Sequence, residues 1–211
     1  INLANKIPNS EIQIDCDWSL KSRDKYMDFL KLLKDKYGKT LSATIRLHQI
    51  KYFEKTKVPP VDYGVLMLYN IGSVNAKGEK SISDKEIAVQ YLPYLEKYPL
   101  KIKTALPIFS WLVHTRNEQV VQIISKKNMN DYQNKINFDT DYPKHIVTKS
   151  GIAFGDFYKK DDILFEETIS PNDIEEMKAL INKYSKHTQT EFIYYDLDQK
   201  NLNKNQNEYN F

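Results

Sequence analysis

The sequence predicts an α/β fold of the (β/α)8, TIM-barrel type, of which this chain carries the C-terminal five or so βα units. Three observations predict it. Strand-like and helix-like periodicities alternate along the chain, which argues for a parallel sheet flanked by helices. No glycine-rich loop follows the first strand. Cys16, Trp18 and Ser19 stand where a GxGxxG turn would, which counts against a doubly wound nucleotide-binding sheet. Finally, five strands can be placed with ease, whereas a closed barrel needs eight in about 250 residues. The expectation is that roughly three βα units lie outside the chain and complete the same barrel.

Each element has its own signal. EIQIDCDW (11–18) alternates as a strand does. Residues 22–37 place Tyr26, Phe29, Leu30, Leu33 and Tyr37 at helical spacing, and Gly38 ends the run. LSATIRLHQ (41–49) reads as a second strand, and Pro59–Pro60 break any helix begun at Lys51. VLMLYNIG (65–72) is nearly all apolar, as suits a strand covered on both faces. Ser83 and Glu86 have capping-box spacing ahead of a stripe of Ile87, Tyr91, Leu92 and Leu95, closed by Pro99. KIKTALPIFSW (101–111) is a fourth strand, with Pro107 marking a bulge or an end. VVQIIS (120–125) fits a short strand or a helix start. Residues 126–145 are polar, and 146–168 alternate around glycines like a β-hairpin. Ser170 and Pro171 open a helix with Ile174, Met177, Leu180 and Ile181 buried, and EFIYYDLD (191–198) is the last strand. The organisation expected is a flexible N-terminal remnant (1–10), a partial barrel (11–198) with an insertion at about 126–168, and a polar tail (199–211).

Bulk properties narrow the function classes. Of 211 residues, 41% are hydrophobic, enough for a core. The 31 basic and 28 acidic residues leave a net charge of +3, so nothing calls for nucleic acid as a partner. One cysteine, Cys16, excludes an internal disulfide and a cysteine-rich metal site. No apolar run reaches the length of a membrane span. The chain starts at Ile1 rather than methionine, which implies processing or a partial chain.

Strand alternation says where the polar residues point. In the first strand Gln13, Asp15 and Asp17 share one face, against Ile12, Ile14, Cys16 and Trp18 on the other. In the second, Ser42, Thr44, Arg46 and His48 oppose Ala43, Ile45 and Leu47. In the last, Phe192, Tyr194, Asp196 and Asp198 oppose Ile193, Tyr195 and Leu197. The apolar faces should meet helices and the polar faces the barrel interior. Asp15 and Arg46 then form a natural ion pair, which reads equally well as structural. Asp17, His48, Tyr69, Asn70, Ser110, Trp111 and Asp196 fall at the C-terminal ends of their strands, where barrel enzymes place their chemistry. A tryptophan and tyrosines beside carboxylates suit a sugar cleft, since ring faces stack on pyranose C–H surfaces. Trp111 reads equally as packing beneath the insertion, and a lone His48 is more often a hydrogen-bonding residue than a catalyst.

The run EIQIDCDWS, a helix, then LSATIRLHQIKY, VPPVDYGVLMLYNIG and LPIFSW resembles an uncharacterised family of barrel proteins from Bacteroidetes-type bacteria. The similarity covers roughly residues 11 to 198. The resemblance implies a glycoside-hydrolase-like TIM barrel, often exported or a lipoprotein, and so a periplasmic or lipid-anchored location through an upstream segment. It implies no settled activity. A composition rich in Lys, Asn, Ile and Tyr is compatible with such a source.

Two functions from different classes fit these residues. As a glycosidase-like enzyme, the chain would need two carboxyl groups flanking the bond. Asp17 is the first candidate, Asp15 would tune it by like-charge proximity, and Asp196 is a possible second acid. Gln13, Arg46, His48, Tyr69, Asn70, Ser110 and Trp111 would bind substrate. No strand-end glutamate is present to serve as the acid. As a non-catalytic carbohydrate-binding or cell-envelope accessory protein, it would keep the cleft without the chemistry. Asp15, Asp17, His48 and Asp196 could gather round a divalent ion, but no ligand spacing supports that; no cofactor is expected.

Overall fold

A computed structural model describes residues 11–201. The remnant 1–10 and most of the expected tail (202–211) lie outside the described residues. The chain divides into two compact units. One comprises Ile1–Leu68, Lys85–Leu106 and Met177–Ile193; the other comprises Tyr69–Asp84, Pro107–Glu176 and Tyr194–Phe211.

The first unit is built on a parallel sheet. Its strands are β1 (Glu11–Ile14), β2 (Thr40–Ile45), β3 (Tyr63–Met67) and β4 (Ile102–Pro107), each paired in parallel with the next. β12 (Phe192–Tyr195) completes the order β1-β2-β3-β4-β12. All five strands expected from the sequence are therefore present in one sheet, and the fold is a mixed α/β fold whose parallel sheet is that of a partial barrel. Most strands are shorter than their apolar patterns: β1 stops at Ile14 and β2 at Ile45.

Helix α1 (Arg23–Tyr37) covers the sheet. Tyr26, Met27, Leu30 and Leu33 pack on Leu41, Ala43 and Val61, with Ile12, Ile14 and Trp18 against the same cluster. Gly38 ends the helix at φ +64°, and its N–H donates to the Lys34 carbonyl at 3.2 Å. Two residues depart from the expected stripe. Phe29 is 47% exposed and Met27 takes its place, because Tyr26, Met27, Leu30 and Leu33 share one arc of the helix and Phe29 lies just beyond its edge. Cys16 is exposed rather than turned to the helices, since regular pairing has ended two residues earlier.

The other helices wholly inside this unit are short: α2 (Leu47–Lys51), α3 (Phe53–Thr56) and α4 (Lys85–Ala88). The stripe Ile87–Leu95 was expected to form one helix. It breaks after α4 into a 3₁₀ turn, Leu92–Lys97, with Pro93 near its start. Proline has no N–H to donate and its ring collides with the carbonyl four residues back, so an α-helix cannot run through it.

The second unit is an antiparallel sheet in the order β6-β5-β11-β8-β7. Its strands are β5 (Trp111–Arg116), β6 (Gln119–Ser125), β7 (Phe138–Asp141), β8 (Lys144–Val147) and β11 (Ile163–Glu167). β9 (Gly151–Ala153) and β10 (Asp156–Tyr158) form a separate hairpin. The sheet starts at Trp111: β4 ends at Pro107, and Trp111 opens a strand of a different sheet instead of closing the fourth parallel strand. A core of Leu112, Tyr132, Ile136, Val147, Ala153, Tyr158 and Leu164 lies beneath it. Helix α5 (Pro171–Tyr184) opens with a Ser170–Asp173 box: Ser170 Oγ donates to Asp173 Oδ2 at 2.6 Å, and the Asp173 N–H donates back at 3.2 Å.

A buried carboxylate stands just before β11. Asp162 is 1% exposed. It accepts from Arg116 Nε (2.8 Å) and a second guanidinium nitrogen (2.7 Å), from the Lys159 N–H (2.8 Å), and contacts His114 Nε2 at 2.8 Å. Burial alone would raise its pKa, but the Arg116, Lys159 and His114 donors outweigh it and bring it down to about 2. The folded value lies below the unfolded one, so this carboxylate stabilises the fold above about pH 4 and that contribution fades as pH falls toward 2, by about 2 kcal/mol in all. Urea denaturation should show an Asp162→Asn variant about 3 kcal/mol less stable at neutral pH, because Arg116 and His114 lose their acceptor, and the gap should narrow as the pH is lowered toward 3.

Candidate functional site

The polar face of β1 and β2 is the candidate region of the first unit. Three acids on this face each meet a donor from β2 or its end. Ser42 Oγ donates to Glu11 at 2.6 Å, Thr44 Oγ1 donates to Asp15 at 2.9 Å, and Arg46 donates to Asp17. The parallel register, which sets Gln13 opposite Ser42, places each donor to reach the acid two residues before its own strand partner or level with it. The alternation read from the sequence therefore holds, but the ion pair is corrected. Arg46 pairs with Asp17, not Asp15, because Arg46 lies beyond the end of β2, level with the residues past β1, and only Asp17 extends that far.

Both Asp15 and Asp17 are exposed, as is Gln13 on the same face. The Asp17 and Arg46 side chains are 75% and 46% exposed. An ion pair that open to water contributes at most about 1 kcal/mol, so stability does not explain it. Arg46 is held from behind: its own N–H donates to Gln49 Oε1 at 2.8 Å, and Gln49 is buried. Sequence reasoning missed Gln49; its spacing of three after Arg46 was the available signal.

His48 is not on a strand. It sits on α2, exposed, two residues after Arg46; partial desolvation and the Arg46 charge hold its pKa below the usual histidine value. Deeper along the face, Tyr63 donates to Glu11 as well, and burial with that hydrogen bond pushes its hydroxyl up to about 12, so it remains a donor. Behind Asp15, the buried Tyr26 hydroxyl is pushed up to about 12 by burial, then by nearby Cys16 and Asp15.

The second unit, taken by itself, holds a group of aromatic residues. Tyr69 is buried, just past β3, and stacks on Tyr195 at 4.6 Å with planes 8° apart. Phe109 stands edge-on to both, at 6.2 Å and 5.9 Å, and lies 5.5 Å from Trp111. Tyr195 is 46% exposed; the sequence pattern assigned it to the helix-facing side with Ile193 and Leu197, and all three are instead exposed, Leu197 lying past the end of β12. Phe109 and Tyr195 were thus missed; a tyrosine or phenylalanine beside each expected strand end was their signal. Asn70 is exposed at φ +53°, its N–H donating to the Ile82 carbonyl at 2.7 Å. Ser110 is partly buried between β4 and β5. Asp196, partly buried, accepts from Asn201.

Glu167 organises this part. Its Oε1 accepts the N–H groups of Ser81 and Ile82, both at 2.7 Å, and its Oε2 accepts Ser81 Oγ at 2.6 Å and Trp111 Nε1 at 3.0 Å. The loop 69–84 is pinned to the sheet by that carboxylate, and Trp111 is oriented by it. At Gly78 (φ +72°) a Cβ would lie 2.3 Å from the Phe165 ring, so only glycine lets the same loop approach. Glu167 fell within the expected hairpin insertion, with nothing in its local pattern to mark it.

Among the described residues, no three His, Cys, Asp or Glu side chains come together that could hold a metal ion. No helix among them is long and apolar enough to cross a membrane. A cavity of about 620 Å³ opens in the first unit between residues 95–103 and 185–191. It lies at the start of β4 and β12, the ends opposite to Asp15 and Asp17, and the face that in barrels serves stability.

Neither a protein-family model nor a curated protein matches the sequence. Solved structures do match in fold. The chain is similar to the spore cortex-lytic enzyme SleL of Bacillus cereus, with TM-score 0.58 and 17% identity over 93% of this chain and 47% of that one. It is similar to a chitinase of Chromobacterium violaceum, with TM-score 0.57 and 13% identity over 93% of this chain and 64% of that one. YdhD of Bacillus subtilis follows at TM-score 0.53 and 15% identity, over 87% and 64%. The chain thus spans about half to two-thirds of the length of these proteins. At such identities the likeness establishes a shared fold and nothing about which bonds, if any, are cut.

Glu167→Gln should cost about 2 kcal/mol, since an amide cannot accept at both oxygens. Amide hydrogen exchange at Ser81 and Ile82 should accelerate in that variant while the Asp162 region keeps its protection.

Proposed function

We propose that the chain is part of a glycoside-hydrolase-like protein that acts on or binds a carbohydrate at the C-terminal ends of its parallel strands. The observation that carries this reading is the exposed Asp17–Arg46 pair, with Asp15 behind it, at the C-terminal end of β1. It lies on the face where barrel enzymes keep their chemistry. Stability does not account for it. The fold is shared with a cortex-lytic enzyme and a chitinase, which makes a polysaccharide the substrate class to try first.

In the enzymatic form of the proposal Asp17 is the catalytic carboxyl. Arg46 orients it, and Asp15, fixed by Thr44, lies two residues away along the same face. Asp196 is the proposed second acid. Gln13, His48, Asn70 and Ser110 supply polar contacts, and Tyr69, Phe109, Trp111 and Tyr195 supply ring faces for pyranose stacking. A full (β/α)8 barrel, completed by upstream βα units as a partner segment, belongs to the same proposal. So does an exported or lipid-anchored location, which rests only on the resemblance of the motifs to exported barrel proteins.

A specific observation favours the non-catalytic alternative: Asp17 already has a charged partner, and glycoside hydrolysis needs a carboxyl group free to exchange a proton or attack carbon. A carbohydrate-binding accessory protein would use the same face without that step. The two separate on one assay. Purified protein is tested against soluble glycans, beginning with chitin and cell-wall oligosaccharides, beside Asp17→Asn. An enzyme loses turnover by at least about 100-fold in that variant. Retained turnover removes Asp17 from catalysis, and saturable binding with no turnover in either form selects the accessory role.

A further inference from the structure

Away from the strand ends, the first unit carries a group of aromatic rings around one cation. Lys51, the last residue of α2, places its Nζ 5.1 Å from the centroid of Tyr91 and 5.5 Å from those of Tyr52 and Tyr94. One lysine near one ring is ordinary on a protein surface. Three ring faces round a single ammonium is the arrangement used to bind alkylated ammonium groups, because each ring presents the negative side of its quadrupole to the charge.

The rings are held by the backbone beneath them. Tyr91 and Tyr94 are three residues apart at the entrance to the 3₁₀ turn, where a period of three sets side chains one above the other. The Tyr94 N–H donates to the Tyr91 carbonyl at 3.1 Å. Leu92 and Leu95 anchor that turn in the core, and Ile50 does the same for α2. Tyr52 has its N–H on the His48 carbonyl at 3.0 Å, and its own carbonyl accepts the N–H groups of Lys55 and Thr56, both at 2.9 Å. The cluster is nonetheless open: Tyr52 is 50% and Tyr94 39% exposed. Among the described residues no carboxylate pairs with Lys51, so the rings are its electrostatic partners.

We propose that Tyr52, Tyr91 and Tyr94 form a binding site for a methylated ammonium group, such as a quaternary ammonium, which Lys51 occupies from within. A primary ammonium is compact and strongly hydrated, and it gives up more solvation among rings than a methylated one does. An external methylated cation therefore has an advantage per contact. Lys51 has the advantage of being tethered, which raises its local concentration far above that of a free ligand. Its four-carbon stem is flexible enough to swing out, so the lysine acts as a removable plug. The site is separate from the carbohydrate reading and does not depend on it.

The test uses choline as probe and its neutral carbon isostere, 3,3-dimethylbutanol, as control, followed through the tyrosine ring resonances. In Lys51→Ala, choline should bind at least about tenfold more tightly than to the unmodified protein, and the isostere at least about fivefold more weakly than choline. Adding Tyr94→Ala to that background should weaken choline by at least about fivefold. Lys51→Gln, which keeps much of the stem, should fall between. Choline binding no tighter in either lysine variant than in the unmodified protein overturns the proposal. So does an isostere that binds as well as choline, or a tyrosine substitution without effect.

Discussion

Three acid–donor pairs set the character of the parallel sheet: Glu11 with Ser42, Asp15 with Thr44 and Asp17 with Arg46. A parallel sheet buried on both faces is usually apolar on both. This one is apolar on the α1 side, where Leu41, Ala43 and Ile12 pack, and polar on the other. A two-residue period carries that division along both strands, and the register brings the polar groups into reach of each other. The desolvation of Ser42 and Thr44 is offset by the hydrogen bonds they donate. Towards the strand ends the pairs become more exposed and contribute less stability, until Asp17 and Arg46 stand nearly in water.

The antiparallel unit manages its charges differently. Asp162 is buried and surrounded by donors from Arg116, Lys159 and His114. Glu167 holds a loop and an indole with four hydrogen bonds. Removing either acceptor leaves several buried donors unmet, which is the costly direction. These carboxylates are structural by the same accounting that makes Asp17 a candidate for function.

Much of the parallel sheet was legible in the sequence. Strand periodicity found all five strands, and the faces of Asp15, Asp17, Thr44 and Arg46 came from alternation. Pairing did not, because it depends on where the strands stop. Arg46 meets Asp17 only because β2 ends at Ile45 and the chain turns into α2. Pro93 broke a stripe that periodicity alone made continuous. Trp111 looked like the end of a parallel strand, yet it begins an antiparallel one, since Pro107 cannot continue the ladder. Glu167, Phe109 and Tyr195 owe their roles to long-range packing, with partners up to 126 positions away in the case of Tyr195 and Tyr69, and no local pattern encodes that.

The claim that the polar strand ends of β1 and β2 face a ligand is tested most directly by an NMR titration with soluble oligosaccharides, followed at the Arg46 guanidinium and the Thr44 methyl group. A saturable shift at both, lost when Arg46 is replaced by alanine without loss of folding, is the result expected. Carbohydrate binding that leaves both resonances in place would contradict the account and return the Asp17–Arg46 pair to the protein surface.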